Sequence, residues 1–448
     1  MDKDIDTVKR RVLTKGLDRR EARNIKKGQM NLGLRIGVAK PAGGSLRLRG
    51  GGEDAASELD VALRWSATQS HILTGGGVAE ELYTASRGYA YSETELPHHH
   101  LVKGDTRDAF AKWSSDGSAS LPAWMVGAWS RDLFAGGGLE TTSEDETCAN
   151  LITPGLFIDI RIPTTRDKAL KKAGRTSWDD VSGLLDGKEA RPLAALSNLE
   201  VRLLARQHAF GGYARFEPPS ASSSSSSAIV GACARHHAID WNFMGEPRPR
   251  PNKWHVEPLP PKGGQADLMI AAAMRQGGYS EPLVDEWLEL SYANDESGKP
   301  YYHEKWSRLE SGSGEMSYTA LRAQQSSERD AFVIIVNDHF AYVRGRPVGT
   351  AELSSFIEKS KCGRRLFDVV DEALARGDRD LAERCVLLEA GYGRVSNGWL
   401  VDASLQPWRI GKNMSNVFDG EIVGPVEGLE RTWRVGGVLF DVLASSSA

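Results

Sequence analysis

At 448 residues, with 40% hydrophobic and 26% charged residues, the chain has the make-up of a soluble globular protein larger than one average domain. A formal net charge of −4 excludes a general nucleic-acid binder, which needs a concentrated basic field. No apolar run approaches the roughly 20 residues that cross a bilayer, so no membrane span is expected.

The first 115 residues differ from the rest and form a variable N-terminal region, partly helical or disordered. Ile5, Val8 and Val12 have helical spacing among Lys9, Arg10, Arg11, Arg19, Arg20, Lys26 and Lys27. That reads as a solvated basic helix or tail, with contact to an acidic partner or RNA as the functional alternative. Asp2, Asp4 and Asp6 argue against a secretory leader. A Gly-rich linker follows from Gly43 to Gly52, and within it Leu46–Gly51 matches the tail of ubiquitin without a ubiquitin-like segment before it. His98, His99 and His100 read as exposed sequence rather than a metal site, because no spaced fourth ligand accompanies them.

From Leu121 the pattern turns to β. Strands are expected at Met125–Phe134, Thr147–Thr153, Leu156–Pro163, Gly212–Glu217, Ile229–Trp241, Leu268–Met274, Leu283–Tyr292 and Tyr301–Leu309. A second group comprises Ala331–Val336, Phe340–Arg344, Arg384–Arg394, Trp399–Ala403, Glu421–Val426 and Arg431–Leu443. Helices interrupt at Ser197–Gln207 and Leu366–Arg376, the latter closing at Gly377. The serine run Ser222–Ser227, Arg248–Pro251 and Pro258–Gly264 read as loops. Many short strands without βαβ alternation indicate a mainly β fold of antiparallel barrels, either one large or two in tandem. The expected units are 116–312 and 313–445, the second with an inserted helix. A sandwich is the competing architecture.

The most telling strand is Leu156–Pro163. Phe157, Asp159 and Arg161 share one face, and Ile158, Ile160 and Ile162 the other. An acid and a base on one side of an otherwise apolar strand suit a barrel wall with a partly polar lumen.

Four segments resemble a poorly characterised family of lipocalin-like (calycin-like) bacterial and fungal proteins. They are Leu151–Pro163, Ala205–Gly212, Cys233–Trp241, and Tyr302–Trp306 together with Leu405–Arg409. The resemblance implies one or two lipocalin-like barrels and, from the fungal branch, a casein-kinase-type protein partner. It brings no established reaction and no cofactor.

Several charged and aromatic residues are candidates for one shared interior. Asp159 with Arg161, His236 with Asp240, and Tyr302 with Glu304 and Trp306 are each expected on one strand face. Arg161 offers a bidentate fork and His236 can donate or accept, which suits an anionic or hydrogen-bonding ligand. The structural alternative is that Arg161 pairs with Asp159 or Glu304 and simply holds the wall together. His236 is the candidate proton-transfer residue, oriented by Asp240 or Glu304. About 13 Å of strand between His236 and Asp240 argues against a direct dyad. Trp124, Trp129, Trp241, Trp254, Trp287, Trp306, Trp399, Trp408 and Trp433 either line a pocket or pack a core.

Cys148, Cys233, Cys362 and Cys385 lack Cys-x-x-Cys spacing, which disfavours a zinc ribbon or redox dithiol and suits a reducing, cytoplasmic home. Cys233 and Cys385 read as buried thiols among strand residues. No Walker A loop, nucleophile elbow or dinucleotide fingerprint occurs. The leading expectation is a cytoplasmic lipocalin-like protein, without cofactor or metal. It binds a small, partly apolar ligand whose polar or anionic end meets Arg161, His236 and Glu304. The alternatives are a barrel isomerase, cyclase or lyase using His236, and a protein-interaction module with a solid barrel.

Overall fold

The computed structural model describes residues 121–136, 139–178, 181, 193–217, 231–241, 252–259, 284–290, 302–309, 316–324, 326–327, 329–363, 365–420, 423–429 and 431–446. The expectations for the N-terminal region, His98–His100, Ser222–Ser227 and the Leu268–Met274 strand lie outside these residues.

The first sheet runs through β1 (Gly127–Gly136), β2 (Leu139–Thr142), β3 (Glu146–Ile152), β4 (Leu156–Pro163), β5 (His208–Glu217), β6 (Gly231–Asp240), β7 (Asn252–Leu259), β8 (Glu286–Leu290) and β9 (Tyr302–Arg308). Its order is β2-β1-β3-β4-β5-β6-β7-β8-β9, and β9 returns to pair antiparallel with β1. Eight strands, β1 and β3 to β9, therefore close a barrel, with β2 a short flap on the far half of β1. Closure leaves the ring with no open edge, and a barrel of this size has an interior just wide enough for side chains or one small ligand.

The second sheet is open and curled. It contains β10 (Tyr318–Ala323), β11 (Ala331–Val336), β12 (His339–Arg344), β13 (Glu389–Arg394), β14 (Leu400–Ser404), β15 (Val423–Pro425), β16 (Thr432–Val435) and β17 (Val438–Ser445). Its order is β14-β13-β12-β11-β10-β17-β16-β15. The fold is thus mainly β, one closed antiparallel barrel and one curled half-barrel sheet. Among the described residues the α-helices are α1 (Thr165–Lys172), α2 (Asn198–Leu204), α3 (Thr350–Ser360), α4 (Leu366–Ala375) and α5 (Arg379–Cys385). In α2 the Ser197 hydroxyl accepts from the Glu200 amide while Glu200 accepts from the Ser197 amide, a capping box that fixes where the helix starts.

The alternation in β4 explains how the two sheets meet. All eight of its residues are buried, which a strand with one solvent face never shows. Ile158, Ile160 and Ile162 point outward and join Phe332, Ile334, Ala341 and Val343 of the second sheet, with α2, α4 and α5 completing the same core. Fully burying each such isoleucine contributes roughly 1.5–3 kcal/mol. Gly211 lies in this contact, where an added Cβ would stand 2.6 Å from Val343 Cγ1. Arginines tie the seam further: Arg166 donates to the Ser404 carbonyl at 2.6 Å, Arg346 to the Asp240 carbonyl at 2.9 Å, and Arg322 to the Tyr213 hydroxyl.

Some sequence expectations shift. Arg384–Arg394 is not one strand: α5 runs to Cys385, so that thiol is buried on the last turn of a helix, and β13 starts at Glu389. Arg431–Leu443 folds back on itself as β16 and β17, turning at Gly436, whose φ of 57° suits a residue without a side chain. Strands β2, β7 and β10 and helices α1, α3 and α5 were not anticipated.

Candidate functional site

Side chains from all eight strands of the ring converge on the lumen. One luminal cluster is aromatic: Trp129, Phe157, Phe210, Trp254, Trp287 and Trp306, all 3% exposed or less. Trp287 stacks on Trp306 with centroids 5.8 Å apart and meets Trp129 edge-on at 5.9 Å. Trp124 and Met125, from a 3-10 turn at Ala123–Met125, join the same cluster. Trp241 and Trp408 belong instead to the core between the sheets, and Trp399 and Trp433 pack partly buried on the second sheet.

Against the aromatic cluster lies a buried charged network. Arg161 bonds Asp159 through Nε and Nη2, both at 2.9 Å, and reaches Glu304 with Nη1 at 2.9 Å and Nη2 at 3.2 Å. Arg131 donates to Glu304 at 2.8 Å and pairs closely with Glu146. Arg235 reaches Asp159 at 3.3 Å and sits 4.7 Å above the Trp254 ring. The guanidinium of Arg161 also lies over Trp306, at 5.7 Å. Burial alone raises Asp159, but the charge and hydrogen bonds of Arg161, with Arg235 and Arg131, outweigh it and hold the carboxyl at about 2. Asp159, Arg161 and Glu304 are therefore brought together across the barrel, and the wall-holding ion pairs that the sequence offered as an alternative are formed.

The histidines fall differently from the expected pattern. The β5–β6 ladder slips between Gly211 and Gly212, so that Gly212 faces His237 while Gly211 faces Ile239. The extra residue at Ala238 is a β-bulge, and it changes the face of everything after it. Arg235 and His237 point into the lumen, whereas His236 points out, level with Tyr213 in the intersheet core. Asp240 consequently pairs with His237, whose Nδ1 lies 2.6 Å from its carboxylate, and not with His236. His237 stacks on Phe210 at 4.2 Å. The strict two-residue period failed at the bulge, and His236 is separated from Arg161 and Glu304.

Glu289 was not singled out from sequence, though Trp287-Leu288-Glu289 alternates as Glu304-Lys305-Trp306 does. It lies directly across from Glu304 on the β8–β9 ladder. Tyr302 donates to its Oε1 at 3.0 Å. Burial and then the charge of Glu304 push Glu289 up to about 8, against the smaller pull of Arg235 and Arg161. Burial and the same two glutamates raise Tyr302 well above its ordinary value.

Several luminal polar atoms have no hydrogen-bond partner among the described residues. They are Nδ2 and Oδ1 of Asn150, Nη2 of Arg235, Oε2 of Glu289, and the indole nitrogens of Trp254, Trp287 and Trp306. These six residues are 4% exposed or less. They ring the charged network: Asn150 lies across from both Trp129 and Asp159, Glu289 across from Glu304, and Arg235 against Asp159 and Trp254. Buried polar groups are nearly always satisfied, by protein, water or ligand.

On the second sheet, Glu389 gathers Arg409 at 2.8 Å, Arg329 at 3.3 Å and Arg344 at 3.8 Å. Those guanidiniums also bond the carbonyls of Leu387, Gly345, Asn416 and Val417, which marks them as ties between loops. Among the described residues, no group of three or more His, Cys, Asp or Glu is placed to hold a metal. No helix among them is long and apolar enough to cross a membrane.

No family model matches the chain, and no curated protein matches it. Among solved structures it is similar to that of the uncharacterized protein YLR301w from Saccharomyces cerevisiae, at 10% identity and a TM-score of 0.34, over 71% of this chain and 98% of that one.

Proposed function

We propose that the closed barrel holds a small, partly apolar ligand in its lumen. The observation that carries this reading is the set of polar atoms on Asn150, Arg235 and Glu289 that have no hydrogen-bond partner among the described residues, set among tryptophans around the charged network. A few placed polar groups in a mostly apolar surround is the usual make-up of a small-molecule site. Recognition of the polar end passes from the expected trio to these residues, because Arg161 and Glu304 are engaged in ion pairs and His236 lies outside. Membership of the lipocalin-like family is part of this proposal: Leu151–Pro163 includes β4, Ala205–Gly212 enters β5, Cys233–Trp241 covers most of β6 and Tyr302–Trp306 the first part of β9, all in the barrel wall, while Leu405–Arg409 follows β14 of the second sheet. A cytoplasmic setting accords with four cysteines that form no disulfide.

Native mass spectrometry of the full-length chain, purified from its source cells, tests the proposal. A stoichiometric small-molecule adduct that disappears on denaturation is the expected result. A bare polypeptide mass under the same gentle conditions counts against ligand capture and turns the reading toward a solid barrel used for protein interaction.

A further inference from the structure

We propose that the head group held in the lumen is neutral and rich in hydrogen-bond acceptors, a carbonyl or amide in place of a carboxylate or phosphate. This deepens the binding reading above and rests on it.

The first support is the balance of donors and acceptors. Asn150 Nδ2, Arg235 Nη2 and the indole N–H groups of Trp254, Trp287 and Trp306 all donate, whereas Asn150 Oδ1 accepts and Glu289 Oε2 accepts or donates according to whether it carries a proton. An occupant that satisfies them must bring mainly acceptors.

The second support is charge. Arg131, Arg161 and Arg235 face Glu146, Asp159 and Glu304 in direct ion pairs, three cations against three anions. His237 Nδ1 lies 2.6 Å from the Asp240 carboxylate, at the far end of the lumen-facing side of β6. Glu289 is the additional carboxyl. Facing it are Glu304 and Tyr302 from β9, Arg235 from β6, and Arg161 and Asp159 from β4; its β7 neighbour Val256 is apolar. Burial and the charge of Glu304 favour the neutral carboxyl, and with Tyr302 donating to Oε1, Oε2 is the oxygen left to carry the proton. Glu289 is then one more donor aimed at the occupant. An interior that resists another negative charge on its own wall resists one carried in by a ligand, which pays the same desolvation penalty. A carbonyl oxygen gains the N–H and O–H bonds without that penalty.

The test is made on the full-length chain from its source cells. The protein is denatured, the released small molecules are identified by liquid chromatography and mass spectrometry, and the molecule recovered is titrated back by calorimetry into stripped protein between pH 6 and 10. We expect a molecule uncharged at neutral pH and bearing a carbonyl. Its affinity for the wild type should fall by up to roughly tenfold per pH unit once Glu289 ionises. Glu289→Gln, which keeps an N–H donor at that position, should show no such fall, and Asn150→Leu should weaken binding at every pH. A recovered molecule that is anionic at neutral pH, or an affinity that rises with pH, overturns the neutral head group while binding itself stands. A wild-type chain that releases no small molecule overturns the binding reading.

Discussion

Arg161→Met is the sharpest perturbation of the luminal network. The thioether fills much of the volume of the arginine stem but leaves Asp159 and Glu304, both 0% exposed, without their shared guanidinium. Breaking a buried pair from one side costs about 3–5 kcal/mol, because the stranded charge remains desolvated. Arg235 still reaches Asp159 and Arg131 still reaches Glu304, so the lower part of that range is expected. The pH dependence gives an independent reading. In the wild type Asp159 is held at about 2, below its unfolded value, so its contribution is present above roughly pH 4 and lost as pH falls through 2. Without Arg161 the carboxyl rises, and the variant should recover stability relative to wild type on moving from pH 7 to pH 4.5. Urea unfolding followed by tryptophan fluorescence measures both effects, since Trp306 lies against Arg161. A loss under about 1 kcal/mol, independent of pH, would refute the claim that these charges are desolvated and mutually dependent.

Other consequences are equally open to measurement. Glu289 holds its proton up to about 8 when folded, whereas the unfolded chain releases it near the ordinary glutamate value. The native state thus binds more protons in that window, and this group should lower stability by up to about 1.4 kcal/mol per unit of rising pH, a slope absent in Glu289→Gln. Urea midpoints at pH 5, 6.5 and 8 decide the matter; parallel pH profiles for the two proteins would contradict it. Ile160→Ala, at 1% exposure in the intersheet core, should cost about 2–4 kcal/mol in the same assay, and a loss well under 1 would argue against a tightly packed seam. Gly211→Ala should destabilise through its close approach to Val343, by about 1–3 kcal/mol, and Val343→Ala in the same chain should recover part of the loss. Under native conditions a thiol reagent should modify Cys362 first, since Cys148, Cys233 and Cys385 are buried and burial pushes Cys385 up to about 12. Rapid labelling at the other three sites would contradict that burial.

How far the sequence could be read depended on whether a local period survived into the fold. In Leu156–Pro163 it did: strand limits and both faces follow from the alternation, and the isoleucine side proved to be buried because another sheet covers it. The barrel and the convergence of Asp159, Arg161 and Glu304 follow from the same logic. It broke at Ala238, where one bulged residue exchanged the roles of His236 and His237, and no composition signal marks that position. Strand β7 was hidden because Pro258 and the neighbouring prolines read as loop. Helix α5, whose start Asp378 caps through the Leu381 amide, was hidden because it is only seven residues long and a three-residue turn separates it from β13. Glu289 and Asn150 were overlooked for a different reason: their importance lies in atoms that have no hydrogen-bond partner among the described residues, which no pattern along the chain displays.

A high-resolution crystal structure of the full-length chain from its source cells examines the lumen directly. The account predicts density for an organic molecule whose acceptor atoms lie within hydrogen-bonding distance of Asn150 Nδ2, Arg235 Nη2 and Glu289 Oε2. Ordered water alone at those atoms, or a rearranged core in which protein groups satisfy them, would contradict it.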